Sequence, residues 1–502
     1  MSQLLAAGRG GGRADLEQAQ DVLAELQELR DAVWSEAAEQ LEAWRARIER
    51  RSFLLSAHNL AAYLALRRRD LRGLQLAMMP LGLSSLGRCE SRVLENLDAN
   101  IAMLSSAVQA GPPELSAFPR PRAFFRGGRL LERHASEVFG PSARQRDVRI
   151  MATLPSAAAD DFELVRELVR LGMDVARINC SHDSAAVWRQ MAAHVRRAEA
   201  ESGQLCRVSM DLGGPRARTG AVRGGADEVR VTEGMRFVLH EPGAGGENRQ
   251  AVQVECSLPG VVEQLQVGHS VWVDEGSLCA VVEETDGQAA LARVVRTGPK
   301  GARLRADKGL NFPDTELRLS PLTARDLRDL DTAAEIADIV AYSFVQRPSD
   351  IALLQTELAA RSDRQLALIA KIETGLAVRS LPEIIVQAAG KQPLAVMIAR
   401  GDLAVEIGYP RLAEIQEELL WLCEAAHTPV IWATQVLDTF LHKGLHSRAE
   451  MTDAAMAERA ECVMLNKGPY LADAVSVLDD VLGRMEGHQA KKTSRLRALH
   501  AW

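Results

Sequence analysis

The 502-residue chain is long enough for two to four domains and carries a formal net charge of −7 from 60 basic and 67 acidic residues. That mild acidity gives no reason to expect bulk nucleic-acid binding, and no run of about 18 apolar residues implies a membrane span. Seven scattered cysteines without a C-x-x-C pair argue for reduced thiols in a cytoplasm and against a structural zinc.

The opening residues, MSQLLAAGRGGGRAD, lack the long apolar segment of a secretory signal. Residues 14 to about 110 read as helices, because Leu16, Ala19, Leu23, Leu26, Val33, Ala37, Leu41, Trp44 and Ile48 recur at three-to-four spacing between charged residues. Within them LQLAMMPLGLSSLGRCESRVLENL has a helix–turn–helix rhythm and follows the basic residues 67–69. It lacks a basic recognition face, so packing or self-association is expected there rather than nucleic-acid binding. A Gly/Pro break at residues 111–113 follows, and the Pro-, Arg- and Gly-rich stretch 111–147 reads as a connector.

From Arg149 strands and helices alternate. Strand candidates end near Leu154, Ser181, Leu212, Phe344, Ile372, Arg400, Thr434 and Asn466, with amphipathic helices such as 160–171 and 185–201 between them. Eight such strands are the count of a (β/α)8 TIM barrel. Between residues 219 and 319 the pattern changes to short strands with Gly-rich turns, a small β domain inserted after the third strand. The predicted fold is therefore α/β: an all-α N-terminal region and connector (1–145), a barrel (146–218 and 320–488), an inserted β lid (219–319) and a basic tail (489–502).

The stretch LALIAKIETGLAVRSLPEIIVQAAGKQPLAVMIARGDL, residues 366–403, holds two buried-strand runs around an amphipathic helix, a β-α-β unit. Such units place polar groups at the C-terminal ends of neighbouring strands, here Lys371 and Glu373 beside Arg400 and Asp402. Glu373 and Asp402 offer two hard oxygen ligands for Mg²⁺, and Lys371 points a compact cation at whatever phosphate the metal carries. The plainer alternative is a barrel segment with a structural ion pair. Only eight of the basic residues are lysine and none precedes Lys300, which singles out Lys308, Lys371 and Lys467.

At these residues the sequence resembles the pyruvate kinase family, through KIE followed by IARGDLAVEIG, and the resemblance runs from about Arg149 to Gly483. VARINCSH resembles the family's ARxNxSH, which implies a phosphoryl contact for Arg177, a monovalent-cation neighbourhood for Asn179 and Ser181, and a nucleotide-side position for His182 and Asn179. MDLGGPRARTG resembles LDxxGPxxRxG, with Asp211 in the monovalent-cation set and Arg218 reaching the nucleotide phosphates. Leu212 and Arg216 stand where K⁺-requiring members carry Thr and Glu and K⁺-independent members carry Leu and Lys; K⁺ is therefore not expected to be required. Gly213 replaces the family's usual Lys or Gln.

VDEG and KGLNFPD resemble the lid motifs, so Lys308 is expected to fold onto the nucleotide phosphates. YSFVQRPSD places Ser343 near the substrate carboxylate, and IWATQVLD gives Thr434 a contact to the three-carbon acid and a role in the proton relay. The amides around residues 399–402, with Gly401, open a short helix suited to a carboxylate. SRAEMTDAA resembles the family's TRAEVSDVA. The clearest departure is MLNKGPYLAD in place of MLSGETAxG, which loses a serine and an acid and gains Lys467. The chain stops at Trp502, so the family's C-terminal effector domain is expected to be absent, and the tail KKTSRLRALHAW reads as a solvated helix end.

The resemblance implies a pyruvate kinase-like phosphotransferase acting on phosphoenolpyruvate and ADP with Mg²⁺ (or Mn²⁺), giving pyruvate and ATP, in a homo-oligomer with no membrane or nucleic-acid partner. Two other readings stay open at this point: an enzyme for another phosphorylated enol acid or nucleotide, and a catalytically weak sensor or scaffold. The retained Arg177, Lys371, Glu373, Asp402 and Thr434 argue against the last.

Overall fold

The computed structural model describes residues 12–84, 86–108, 117–142, 146–224, 229–244 and 252–495. The break at residues 111–113, parts of the Gly-rich lid turns and the tail beyond 495 lie outside the described residues.

Eight strands close into a barrel: β1 (Arg149–Thr153), β2 (Val175–Asn179), β3 (Arg207–Asp211), β4 (Ile339–Tyr342), β5 (Ala367–Ile372), β6 (Leu394–Ala399), β7 (Val430–Ala433) and β8 (Cys462–Leu465). Every neighbouring pair is parallel, and β1 meets β8 to shut the sheet. Alternating side chains point inward, so Met151, Val175, Ile369, Met397, Ile431 and Met464 fill the bore. Their neighbours in sequence point outward into one large core shared with the helices.

The helical region packs on the flank of this barrel. Helices α1 (Gly12–Trp44), α2 (Leu54–Arg67) and α3 (Val93–Val108) bury their apolar stripes against one another and join the same core as the barrel helices. Trp44 Nε1 donates to Glu383 Oε1 at 2.8 Å, and the amides of Glu49 and Arg50 donate to the Gly390 carbonyl at 2.9 and 2.7 Å. A Cβ at Gly390 would lie 2.5 Å from the Arg47 carbonyl oxygen, so only glycine permits this approach. The basic cluster is spent internally. Arg67 lies over the rings of Tyr63 and Trp421, while Arg68 and Arg69 pair with Glu36.

Two segments differ from the sequence expectation. The connector contains helix α4 (Arg126–Phe139), whose Ala135, Val138 and Phe139 join the bore cluster and plug the barrel from below. Its buried positions, Leu130, Leu131, His134, Ala135, Val138 and Phe139, follow the helical period that its Arg/Gly-rich composition disguised. The tail forms a hairpin, Gln489–Ala490 against Thr493–Ser494, rather than a solvated helix end. Lys491 pairs there with Glu461, and Lys492 pairs with the buried Glu90 and lies over Trp421.

The inserted segment forms a seven-stranded sheet running from Thr219–Arg223 to Leu310–Asn311, with a two-stranded sheet beside it and an apolar core of its own. Its stem is a two-stranded ladder: the Thr219 amide donates to the Lys308 carbonyl at 2.8 Å and the Leu310 amide to the Ala217 carbonyl at 2.9 Å. Tyr409 Oη donates to the Glu275 carbonyl at 3.3 Å, which brings the insert over the barrel mouth.

Candidate active site

The strands' C-terminal ends surround a cavity of about 360 Å³ lined by Arg177, Asn179, Arg216, Lys371, Glu373, Gly401, Asp402 and Thr434. Strand periodicity sends Lys371 and Glu373, two residues apart at the end of β5, to the same side. Lys371 Nζ donates to Ser343 Oγ at 2.7 Å and to Asp211 Oδ1 at 3.1 Å, and lies 3.4 Å from Glu373 Oε1. Arg177 Nε donates to Asp211 Oδ2 at 2.8 Å, and its Nη1 donates to Thr153 Oγ1 at 2.9 Å. Asp211 is thus a buried anion, 1% exposed, gripped by two cations that reach the cavity. Burial opposes its charge, but Lys371 and Arg177 outweigh burial and hold the carboxyl below its ordinary pKa. Burial likewise opposes the charge of Lys371, and Asp211 with Glu373 overcomes it, so the ammonium stays charged.

Glu373 behaves differently. Burial raises its pKa, and the nearby Asp402 charge raises it further against the opposing pull of Lys371. Two carboxylates that repel each other across a cavity form a donor set that a divalent cation relieves, so the residues present fit Mg²⁺. Among the described residues no third acidic, His or Cys group completes a metal cluster. Mg²⁺ commonly keeps water and substrate oxygens on its remaining positions, so two protein carboxylates are compatible with it.

Asp402 stands in the first turn of helix α5 (Arg400–Ile407), which begins directly after β6. The Gly401 amide donates to Thr434 Oγ1 at 2.9 Å, tying the helix start to the end of β7. Arg400 braces the same corner, with Nε donating to the Ala433 carbonyl at 2.8 Å and Nη2 to Asp453 Oδ2 at 2.8 Å. Backbone strain gathers here: Thr434 has φ 66°, Gln435 56°, Leu437 51° and, after β4, Phe344 55°. A β-branched residue at positive φ is costly and persists only where its surroundings hold it, as at binding sites.

Not every residue singled out in the sequence enters this cavity. Ser343 and Asp211 lie beneath Lys371 and Leu212 is buried, whereas Asn179 lines the cavity and its side-chain oxygen accepts from the Ser181 amide at 3.1 Å. Arg216 extends to Asp402, Nη2 to Oδ1 at 2.9 Å, so the cations on Asp211 are Lys371 and Arg177. On the lid side Arg218 pairs with Asp307 at 3.0 Å, and Lys308 Nζ pairs with Asp274 at 2.8 Å and lines a separate, arginine-rich cleft of the insert. His182 is held below its ordinary pKa by burial and by the charge of Lys467, and Lys467 itself lines a separate cleft with Pro155 and His442.

Four further polar groups line the cavity: Glu275 of the insert, Gln435, Asp438 and Asn466. Gln435 and Asp438 stand within the quoted IWATQVLD motif and Glu275 within VDEG, but nothing in their local pattern separates a lining residue from an outward one.

The family model "Pyruvate kinase, barrel domain" matches residues 145–475. Pyruvate kinase PKLR of Homo sapiens is 31% identical over 346 residues, covering 66% of this chain and 58% of that protein. The pyruvate kinase of Mycobacterium intracellulare is 32% identical over 345 residues (67% and 70%), and that of Methylorubrum extorquens is 32% identical over 351 residues (68% and 69%). The chain thus spans less than two thirds of the human relative. The closed parallel barrel, the charged groups at its mouth and these matches together assign the chain to the pyruvate kinase family.

Proposed function

We propose that the chain transfers the phosphoryl group of phosphoenolpyruvate to ADP, giving ATP and enolpyruvate, which is then protonated to pyruvate. The observation that carries this reading is the convergence of Arg177, Lys371, Glu373, Asp402 and Thr434 on one cavity at the barrel mouth. The names of the similar proteins, all pyruvate kinases, support it.

Glu373 and Asp402 would hold Mg²⁺ (or Mn²⁺), which when bound supplies a Lewis acid for the enolate and phosphoryl oxygens. Lys371 and Arg177 offset the negative charge spread over the transferring phosphoryl group, and Asp211 fixes both cations in place. The α5 amides and Thr434 hold the acid end of the substrate, with the Thr434 hydroxyl on the proton's path to the enolate carbon. Ser343 orients Lys371 through its 2.7 Å hydrogen bond. Lys308, Arg218, His182 and Asn179 serve the nucleotide when the lid closes. Lid closure excludes water from the transfer.

Independence from K⁺ belongs to the same proposal, because Asp211 already carries the charges of Lys371 and Arg177 and the chain has Leu212 and Arg216 at the positions in question. A cytoplasmic setting fits the seven cysteines, all buried and unpaired. No helix among the described residues is long and apolar enough to cross a membrane. A homo-oligomer is proposed too, and sizing chromatography tests it.

A coupled assay for pyruvate and ATP in sodium and in potassium buffers tests the reading. Turnover of about 1 s⁻¹ or more, equal in both, is expected. A strong K⁺ requirement removes the cation argument, and absence of turnover removes the reading. Asn466 in place of the family's serine, with the family's acid lost from the same loop and Lys467 gained, favours a second reading, a kinase for a different phosphorylated enol acid. Phosphoenolpyruvate that raises the melting temperature without turning over would point there.

A further inference from the structure

We propose that Arg216 is a tethered counter-cation of Asp402, which a divalent ion must displace to enter the site. This rests on the reading of Asp402 as a metal ligand. The two groups are far apart in sequence, yet Arg216 Nη2 lies 2.9 Å from Asp402 Oδ1, with side chains 34% and 14% exposed. The backbone amide of Arg216 donates to the Gly214 carbonyl at 2.9 Å, where Gly214 at φ +67° turns the chain into the lid stem. Across the stem the guanidinium passes Gly309, where a Cβ would make ordinary van der Waals contact, 3.6 Å from Nη2. Arg216 thus reaches from the stem to the carboxylate.

A metal ion binds a carboxylate oxygen at about 2.0–2.1 Å, and with the guanidinium on Oδ1 an ion on either oxygen of the same carboxylate meets strong repulsion in a partly buried site. Binding of the divalent ion and release of the guanidinium are then one exchange. Arg216 also lines the cavity, so after release it faces the space where the substrate's anionic groups lie. The exchange keeps the site near charge balance at each stage, with Asp402 never left as an unpaired, partly buried anion. An arginine here thus sets the metal affinity of the free enzyme.

The test is a Mn²⁺ titration followed by electron paramagnetic resonance on the full chain without substrates. Arg216→Gln is expected to bind Mn²⁺ about fivefold more tightly, as loss of a partly buried ion pair implies. Arg216→Lys, which keeps the charge on a single point donor, is expected between the two and serves if the glutamine variant fails to fold. Arg218→Gln removes the same charge two residues along, where the partner is Asp307, and is expected to leave Mn²⁺ affinity unchanged. Unchanged or weaker binding in Arg216→Gln overturns the proposal, and so does equal tightening in both glutamine variants, which would mean a general field effect. Asp402→Asn separates the two levels. Mn²⁺ affinity as in wild type would remove the metal assignment itself. Lost binding there, with no tightening in Arg216→Gln, would remove the tether alone.

Discussion

The mouth of the barrel and its helix-covered flank both contain buried charges, arranged in opposite ways. At the mouth Lys371, Arg177 and Arg216 each pair with a carboxylate while still lining an open cavity, and the backbone around them is strained at Phe344, Thr434 and Gln435. On the flank Lys492 meets Glu90, Arg47 and Trp44 meet Glu383, and Asn59 spans the carbonyls of Glu90 and Ala425. Those groups pair across the joint between helices and barrel and line no part of the mouth cavity. Charges left facing a cavity on strained backbone can exchange partners, whereas charges paired across a packed joint only hold it together.

The comparison breaks most visibly at Lys371. Lys371→Met is expected to lower kcat by about 10²–10³-fold, the usual cost of losing one preorganised charge contact. Some stability should go with it, because Glu373 at 3% exposure loses its cation, but less than in proportion to activity, because Asp211 keeps Arg177. A variant that loses stability in proportion to activity would place Lys371 in the structural class instead.

The flank should show the reverse. Gly390→Ala drives a Cβ to within 2.5 Å of the Arg47 carbonyl and is expected to cost about 1–3 kcal/mol by thermal or denaturant unfolding. Turnover per folded molecule should stay as in wild type. A large fall in kcat at unchanged stability would mean that the helical region acts on the mouth and is more than a brace. Lys492→Ala is expected to have a smaller effect of the same kind, about 1–2 kcal/mol, since it leaves Glu90 buried at 3% exposure without its cation. Adding Glu90→Gln to it should restore most of that loss.

The two regions also differed in how legibly the sequence encoded them. Parallel strands buried on both faces read as short apolar runs, and at the mouth each run ends in the polar groups that line it, so β5 and β6 could be placed to within a residue from residues 366–403 alone. The carboxylate pair Glu373 and Asp402 follows from that register. The partner of Asp402 does not, because the Arg216 contact joins residues 186 apart and depends on how the lid stem leaves β3. On the flank, α4 was hidden by composition: its Gly127 and Gly128 and its arginines suggest a linker, while the apolar spacing that plugs the bore is helical. The terminal hairpin carries no strand pattern of its own. Glu461 and Glu90, which it reaches, fix its position.

The finest test of the comparison is pH. Burial pushes Glu424, in the helix Tyr409–Ala425 beneath the hairpin, up to about 7, and Glu458 likewise to about 7. A carboxyl that binds its proton more tightly when folded than when unfolded, near 4.5, favours the folded state at low pH. Its contribution is present below about pH 4.5 and is lost as pH rises towards 7. Glu424→Gln should therefore raise the melting temperature by about 2–4 °C at pH 8, leave it nearly unchanged at pH 5, and flatten the slope between. Because the side chain lies in the flank and not in the mouth cavity, the pH profile of kcat should not move with it. A shift of that profile in Glu424→Gln would show that the flank and the mouth titrate as one system, and the separation drawn between them would fail.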